Sequence, residues 1–320
     1  MSKKLALLFA DSTLGVGLGH ISRTKALQSK LESLGYEARF FDTKDFDSVL
    51  NDFKINLSDE KICDLIAIDS YVLELESYKK AADFSKLALF FDDFMRLPYP
   101  SGIIVNYANG ADFNAYKSKY PHHILFLGSP YLLLQDSFKN AIKQNLKNPI
   151  SLNQNIKKIL LTLGGVDVLG LNNEICNTLL NNTTLEIHCI SKNPLKAESK
   201  RLKVYYNLDS NALCELIKSV DICICACGQS LGEILACGIP AIALEVANNQ
   251  RANLDSFKHC TLNLKNAYLK DKSEILTFIK NSLSAYENLS LRQEYQKAAL
   301  KILSKPTKWK KLKNLQALDS

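Results

Sequence analysis

Two series of short apolar runs constrain this chain more than any other feature. Six lie in the first half ("LALLFAD", "YEARFFD", "DLIAIDSY", "LALFFDDF", "GIIVNY", "HHILFLG") and five in the second ("KKILLTLGG", "LEIHCIS", "LKVYYN", "VDICICACG", "PAIALEV"). Most are unbroken rather than alternating, as strands of a parallel sheet covered on both faces are. Helical patterns lie between them. After Leu5–Asp11, Ile21, Thr24, Leu27, Leu31 and Leu34 recur at helical spacing and Gly35 supplies a stop; Asn211–Val220 reads the same way. The polar stretch Lys139–Asn155, with its Asn, Pro and Ser, reads as a linker. The expected class is α/β, with two doubly wound Rossmann-like domains facing across a cleft. They should occupy residues 1–145 and 156–262, and a helical extension with a basic tail should fill 263–320, two helices spanning Asp271–Lys301.

A hydrophobic content of 47% with 23% charged residues fits a soluble globular protein. No apolar run approaches the ~20 residues a membrane helix needs. The N-terminal "MSKKLALLFADSTLG" lacks a small-residue cleavage site and turns acidic at Asp11, so it reads as a first strand and not as a signal peptide. Nine cysteines, an odd number placed mostly in apolar segments, point to reduced thiols and a cytoplasmic setting. Cys223, Cys225 and Cys227 would share one strand face without a nearby Cys or His pair, so they read as small core residues, and no metal is expected. Much of the +7 net charge sits in Lys305–Asn314. A solvated helix end or frayed terminus accounts for that tail, although a membrane contact through it stays open. No zinc finger or RNP-type signature is present, and no nucleic-acid partner is expected.

Two segments carry candidate chemistry. In the first, Gly15, Gly17 and Gly19 follow the first strand and His20 opens a helix. The third glycine of a dinucleotide fingerprint is replaced by His20, and the spacing does not fit that fingerprint. A histidine at such a junction can serve as a general base, or merely cap the helix. In the second segment, "CGQSLGEILACGIPAIALEVANNQ", Gly228, Ser230 and Gly232 bring small residues to a helix N-terminus, a natural diphosphate cradle. Glu233, placed in the first turn, could accept bonds from ribose hydroxyls or simply favour the helix dipole. "ANNQ" then ends a buried strand, where ligands collect in such sheets.

This arrangement resembles nucleotide-sugar enzymes of the GT-B fold. More narrowly, it resembles the UDP-sugar hydrolases of the pseudaminic acid pathway and related spore-coat polysaccharide proteins. Seven motifs in order carry the likeness: Asp11–Arg23, Ile68–Tyr71, Phe90–Asp93, Val105–Tyr116, Leu127–Leu134, Leu163–Asp167 and Cys227–Gln250. The resemblance implies that His20 is catalytic and that Tyr71 lies near the reacting sugar. It implies that Asn106 sits on the cleft side of the N-terminal domain and that Gly17 and Gly19, in the acceptor-side loop, bind substrate. Gly164 and Gly165 would lie near the nucleotide, Ser230 and Leu231 at the diphosphate, Glu233 at the ribose, and Asn249 and Gln250 at the donor sugar. Three of these have a plainer reading: Glu233 as an ordinary helix acid, Tyr71 as a core aromatic, Asn106 as a turn cap.

The implied activity is metal-independent and cofactor-free release of UDP, with inversion, from a UDP-2,4-diacetamido-2,4,6-trideoxyhexose of the altropyranose type. Nonulosonate synthesis and flagellin glycosylation would be its setting. Three positions depart from the family pattern: Ser70 replaces a histidine, Gln135 a basic residue and Val166 a threonine. Two alternatives stay open, a GT-B glycosyltransferase using a sugar or lipid-linked acceptor and a non-catalytic nucleotide-sugar-binding protein. The basic tail and Trp309 favour a lipid-linked acceptor slightly.

Overall fold

The structure, a computed structural model, describes residues 3–12, 19–54, 62–165 and 167–315, and all statements below concern those residues. The chain forms two compact units, one of residues 1–135 with 306–320 and the other of residues 136–305. Each is built on a six-stranded, all-parallel sheet, in accord with the α/β expectation.

The first unit contains strands β1 (Lys4–Ala10), β2 (Tyr36–Asp42), β3 (Leu65–Asp69), β4 (Ala88–Phe91), β5 (Ile103–Asn106) and β6 (Ile124–Leu127). Helices α1 (Gly19–Ser33), α2 (Phe46–Lys54), α3 (Leu75–Phe84) and α4 (Phe113–Lys119) lie between them. The sheet order is β2-β1-β3-β4-β5-β6. Successive side chains of a strand point to opposite faces, and here both faces are sealed. Ala6 and Leu8 of β1 pack with Leu27 and Leu31 of α1, while Leu7 and Phe9 pack with Phe46 and Leu50 of α2. That double burial is why β1 runs apolar without alternation.

The second unit contains helix α5 (Asp136–Lys147), strand β7 (Lys158–Thr162), helix α6 (Asn172–Asn182), β8 (Glu186–Ile190), β9 (Leu202–Tyr205) and α7 (Ser210–Lys218). Then come β10 (Ile222–Ala226), α8 (Gln229–Ala236), β11 (Ala241–Leu244), α9 (Arg251–Phe257), β12 (Leu262–Leu264), α10 (Lys272–Tyr286) and α11 (Leu289–Leu303). The order is β12-β11-β10-β7-β8-β9. Ile222 and Ile224 of β10 join the core beneath α6 and α10. Cys223 and Cys225 are buried on the opposite face, and all nine cysteines are free, buried thiols.

Three sequence expectations need correction. The proposed linker is helix as far as Lys147, because Phe138, Ala141, Ile142 and Asn145 recur at helical spacing and bury one face. Asn145 fixes the turn that follows, accepting from Ile150 N at 2.8 Å and donating to Ala236 O at 3.2 Å. The segment after 262 is no separate extension, since Ile275, Ile279 and Tyr286 complete the second unit's core. Finally, the basic tail returns to the first unit. Trp309 is buried against Phe126 and Tyr131, its indole N–H donates to Tyr131 O at 3.1 Å, and Leu312 of the last helix, α12 (Lys311–Leu315), is sealed beside it. Trp309 is therefore a core residue and lends no support to a membrane-bound acceptor. No helix among the described residues is long and apolar enough to cross a membrane. Replacing Trp309 with Ala should destabilise the first unit by about 3–5 kcal/mol, read as a lower urea midpoint for its unfolding.

Candidate functional site

Both sheets reverse their direction of winding once, and the sequence-predicted residues gather at those two places. In an open parallel sheet, the loops after two neighbouring strands whose connections run to opposite sides diverge and leave a crevice at the carboxyl ends. In the first unit that point lies between β1 and β3, and in the second between β7 and β10.

At the first switch point, β1 leads through residues 11–18 into α1, and His20 is the second residue of that helix. Gly19 opens the helix; Gly15 and Gly17 lie outside the described residues. His20 is only 6% exposed. Its Nδ1 lies 2.5 Å from the Asp69 carboxylate and 3.1 Å from the Asp69 carbonyl, both at the carboxyl end of β3. With Nδ1 as the donor, Nε2 is the basic nitrogen of the neutral ring.

Asp69 is shared. Arg23, one helical turn after His20, donates Nη2 to it at 2.6 Å and Nε to its other oxygen. Arg23 Nη1 meanwhile reaches both oxygens of Asp93, at 2.9 and 3.0 Å. The Tyr71 hydroxyl donates to Asp93, and the Tyr71 ring stands edge-on to His20 with centroids 4.4 Å apart. Burial opposes ionisation of both His20 and Asp69, but their mutual attraction wins. Burial would lower His20, yet Asp69 lifts it above its ordinary 6.5. Burial would raise Asp69, yet Arg23 and then His20 hold it at about 2.

Asp11, at the end of β1, fixes the Tyr71 turn. Its carboxylate accepts from Tyr71 N, Ser70 Oγ and Thr43 Oγ1, each at 2.7 Å. Ser70 Oγ in turn accepts from Val72 N and Leu73 N, so the Ser70 hydroxyl forms this turn. Gln135 donates to Ser22 Oγ at 3.1 Å. Asn106, the last residue of β5, is buried, donating to Asp93 O and Tyr116 Oη and accepting from Ala108 N. It does not touch His20 in these bonds but holds the Asp93 backbone. Asp92 and Asp93 follow β4 and diverge: Asp92 turns inward to Tyr120, while Asp93 meets Arg23.

At the second switch point, Gly164 and Gly165 follow β7, and Gly164 adopts φ +92°, a region that glycine tolerates. Val166 lies outside the described residues. Asp167 accepts from Leu171 N and Asn172 N, capping α6. After β10, Gly228 is the N-cap of α8 and offers no side-chain cap to the helix. Ser230 occupies the second helical position, and the Leu231 side chain is buried, so Leu231 can meet a ligand only through its backbone; its amide donates to Gly228 O at 3.2 Å. Glu233 is the fifth helical residue and 4% exposed, not a first-turn acid as its spacing suggested. Gln250 Oε1 accepts from Val246 N, and its Nε2 lies beside Gly228. Asn249 is half-buried next to it. Asn253 donates to the carbonyls of Cys227 and Gly228, tying this loop to the cradle.

Asp11, Arg23, Asp69 and Asp93 lie within the sequence motifs, yet no pattern in the sequence assigns them a role. Their signal was position: each carboxylate stands at or just past a strand's carboxyl end, and Arg23 stands one turn from His20 on the same helix. Among the described residues, no group of three or more His, Cys, Asp or Glu is arranged to hold a metal ion. His188 is a satisfied sheet residue between Tyr205 and Glu186, and His122 and His259 are exposed.

No family model matches the sequence. The chain is 28% identical to an uncharacterized protein of Methanocaldococcus jannaschii over 290 residues, covering 79% of this chain and 58% of that protein. It is 25% identical over 248 residues to a Helicobacter pylori protein named pseudaminic acid cytidylyltransferase and UDP-2,4-diacetamido-2,4,6-trideoxy-beta-L-altropyranose hydrolase, covering 76% of this chain and 44% of that protein. The chain thus spans about half the length of the curated relatives it matches. Among solved structures it is similar to Arabidopsis thaliana UGT89C1 complexed with UDP, at a TM-score of 0.64 and 11% identity over 99% of both chains. It is also similar to Acinetobacter baumannii MurG, at 0.55 and 12% identity over 96% of both chains. At those identities the likeness speaks for architecture: the fold is that of the GT-B glycosyltransferases, two Rossmann-like units in one chain.

Proposed function

We propose that the chain releases UDP from a UDP-linked 2,4-diacetamido-2,4,6-trideoxyhexose by transfer of the sugar to water. The observation that carries this reading is the His20–Asp69 contact at the β1/β3 switch point. A carboxylate on Nδ1 fixes the tautomer and stabilises the imidazolium that forms when Nε2 takes a proton. In the proposed reaction, water attacks the anomeric carbon as its proton passes to His20 Nε2. The C1–O bond breaks, its electron pair leaves with the diphosphate, and the configuration at C1 inverts.

The second unit would bind the leaving UDP at its own switch point. Amides at the start of α8 around Ser230 and Leu231, with the Gly164–Gly165 turn, supply fixed dipoles for the growing charge, often the largest catalytic contribution. Glu233 is assigned to the ribose, and Asn249 and Gln250 to the sugar. Tyr71 orients the sugar beside His20, and Asn106 acts through the loop it holds. The Helicobacter pylori relative supports the substrate, because its name joins a hydrolase of such a UDP-sugar to a second activity. The glycosyltransferases among the similar structures favour a second reading, in which the same base deprotonates an acceptor hydroxyl.

Purified protein given UDP-2,4-diacetamido-2,4,6-trideoxyaltrose should release UDP with no acceptor present; release only on adding an acceptor selects the transferase, and UDP binding without release selects a binding protein. Replacing His20 with Asn should lower kcat by about 10²–10⁴-fold, with UDP affinity measured by calorimetry retained. Because the base must be neutral and Asp69 raises His20, kcat/KM should fall as the pH drops through a value above the ordinary 6.5. A pH-rate profile with no acid limb near neutrality would remove His20 from that role.

A further inference from the structure

The base and the phenol of the first switch point come from different elements, α1 and the loop after β3, and a third loop, after β4, supplies Asp93. One side chain binds the two carboxylates that hold the base and the phenol, Asp69 and Asp93. The Arg23 guanidinium binds Asp69 along one edge through Nε and Nη2 and Asp93 through Nη1. It is 5% exposed and lies over the rings of Phe91 and Tyr107, at 5.0 and 5.8 Å from their centroids. We infer that Arg23 is the positioning residue of this site, holding Asp69 against His20 and Asp93 against Tyr71 at once so that imidazole and phenol keep a single fixed relation. The inference rests on the reading of His20 as the base.

The charge count gives this arrangement a chemical consequence. Two carboxylates face one guanidinium, so the group carries one net negative charge while His20 is neutral and none once His20 holds a proton. The group is thus built to receive a single proton at His20. Arg23 limits how strongly that proton is held, since its own charge opposes the pull of Asp69 and Asp93 on the imidazole. Among the described residues, the titratable and charged groups that face this pair are Asp69 at the end of β3, Tyr71 from the loop after it, Asp93 from the β4 loop and Tyr107 beyond β5. Residues 13–18, between β1 and α1, contain no titratable side chain. Lysine cannot replace Arg23, because an ammonium is a point charge and lacks the planar fork that engages two carboxylates together.

The test is the pair Arg23→Lys and Arg23→Met in the full chain. Histidine-labelled protein is titrated by NMR, with the His20 signal assigned by its loss in His20→Asn. The His20 midpoint should move up in Arg23→Lys and further in Arg23→Met. In Arg23→Lys, kcat for acceptor-free UDP release should fall about 10²-fold, the scale of a 1 Å misplacement, with the UDP dissociation constant retained. Should Arg23→Met fail to fold, Arg23→Lys alone decides. A wild-type midpoint and a wild-type kcat in Arg23→Lys would reduce Arg23 to a structural staple. If the wild-type protein releases no UDP under any condition, the hydrolase reading falls, and the shift of the His20 midpoint in Arg23→Lys still decides whether Arg23 governs the imidazole.

Discussion

A carboxylate sealed from water must find partners or surrender its charge, and Asp69 finds two cations. The remaining features of the first switch point follow from that requirement. His20 and Arg23 stand one turn apart on α1, so they can approach the same carboxylate from the same side. Arg23 has bonds to spare and extends the group to Asp93, and Asp93 takes the hydroxyl of Tyr71. Asp11, buried at the neighbouring strand end, does similar work with neutral donors by gathering the Tyr71 amide and two hydroxyls. Ending parallel strands in aspartates places negative charge where the loops gather. The helix between β1 and β2 then supplies the compensating cations.

Topology explains why these groups meet at all. The two sheets have different strand orders, yet each has one place where adjacent strands send their connections to opposite sides. One place gathers ionisable side chains, the other offers glycines and a helix N-terminus beside the buried Glu233. Under the proposed reaction that division is chemically sensible. Proton transfer needs titratable groups with controlled partners, whereas holding a diphosphate needs backbone donors that do not change protonation.

Much of the architecture was legible in the sequence, because a strand buried on both faces leaves an apolar run that few other structures produce. Eleven strands were visible as apolar runs, most of them unbroken, and β12 was not: Leu262–Leu264 is only three residues long, too short to leave a pattern. The polar composition of Lys139–Asn155 hid helix α5, since its apolar face consists of Phe138, Ala141, Ile142 and the polar Asn145. His20 and the Gly228 turn were legible as unusual residues at helix starts. Asp69, Arg23 and Asp93 were not, because a strand-end aspartate or a helical arginine is ordinary in sequence and becomes distinctive only when distant segments meet. Trp309 carried the opposite lesson: among five basic neighbours it looked like a surface anchor, and its role in the core depended on a partner, Tyr131, far back in the chain.

That return of the chain has a consequence for biogenesis. The first unit draws Trp309 and Leu312 into the core beside Leu27, Phe126 and Tyr131, but these residues follow the whole of the second unit in the chain. At a synthesis rate of about 5–20 residues per second, the ribosome takes on the order of ten seconds or more to travel from Gln135 to Trp309. Throughout that interval the nascent first unit has an unfilled aromatic socket, and the second unit can fold ahead of the segment that fills it.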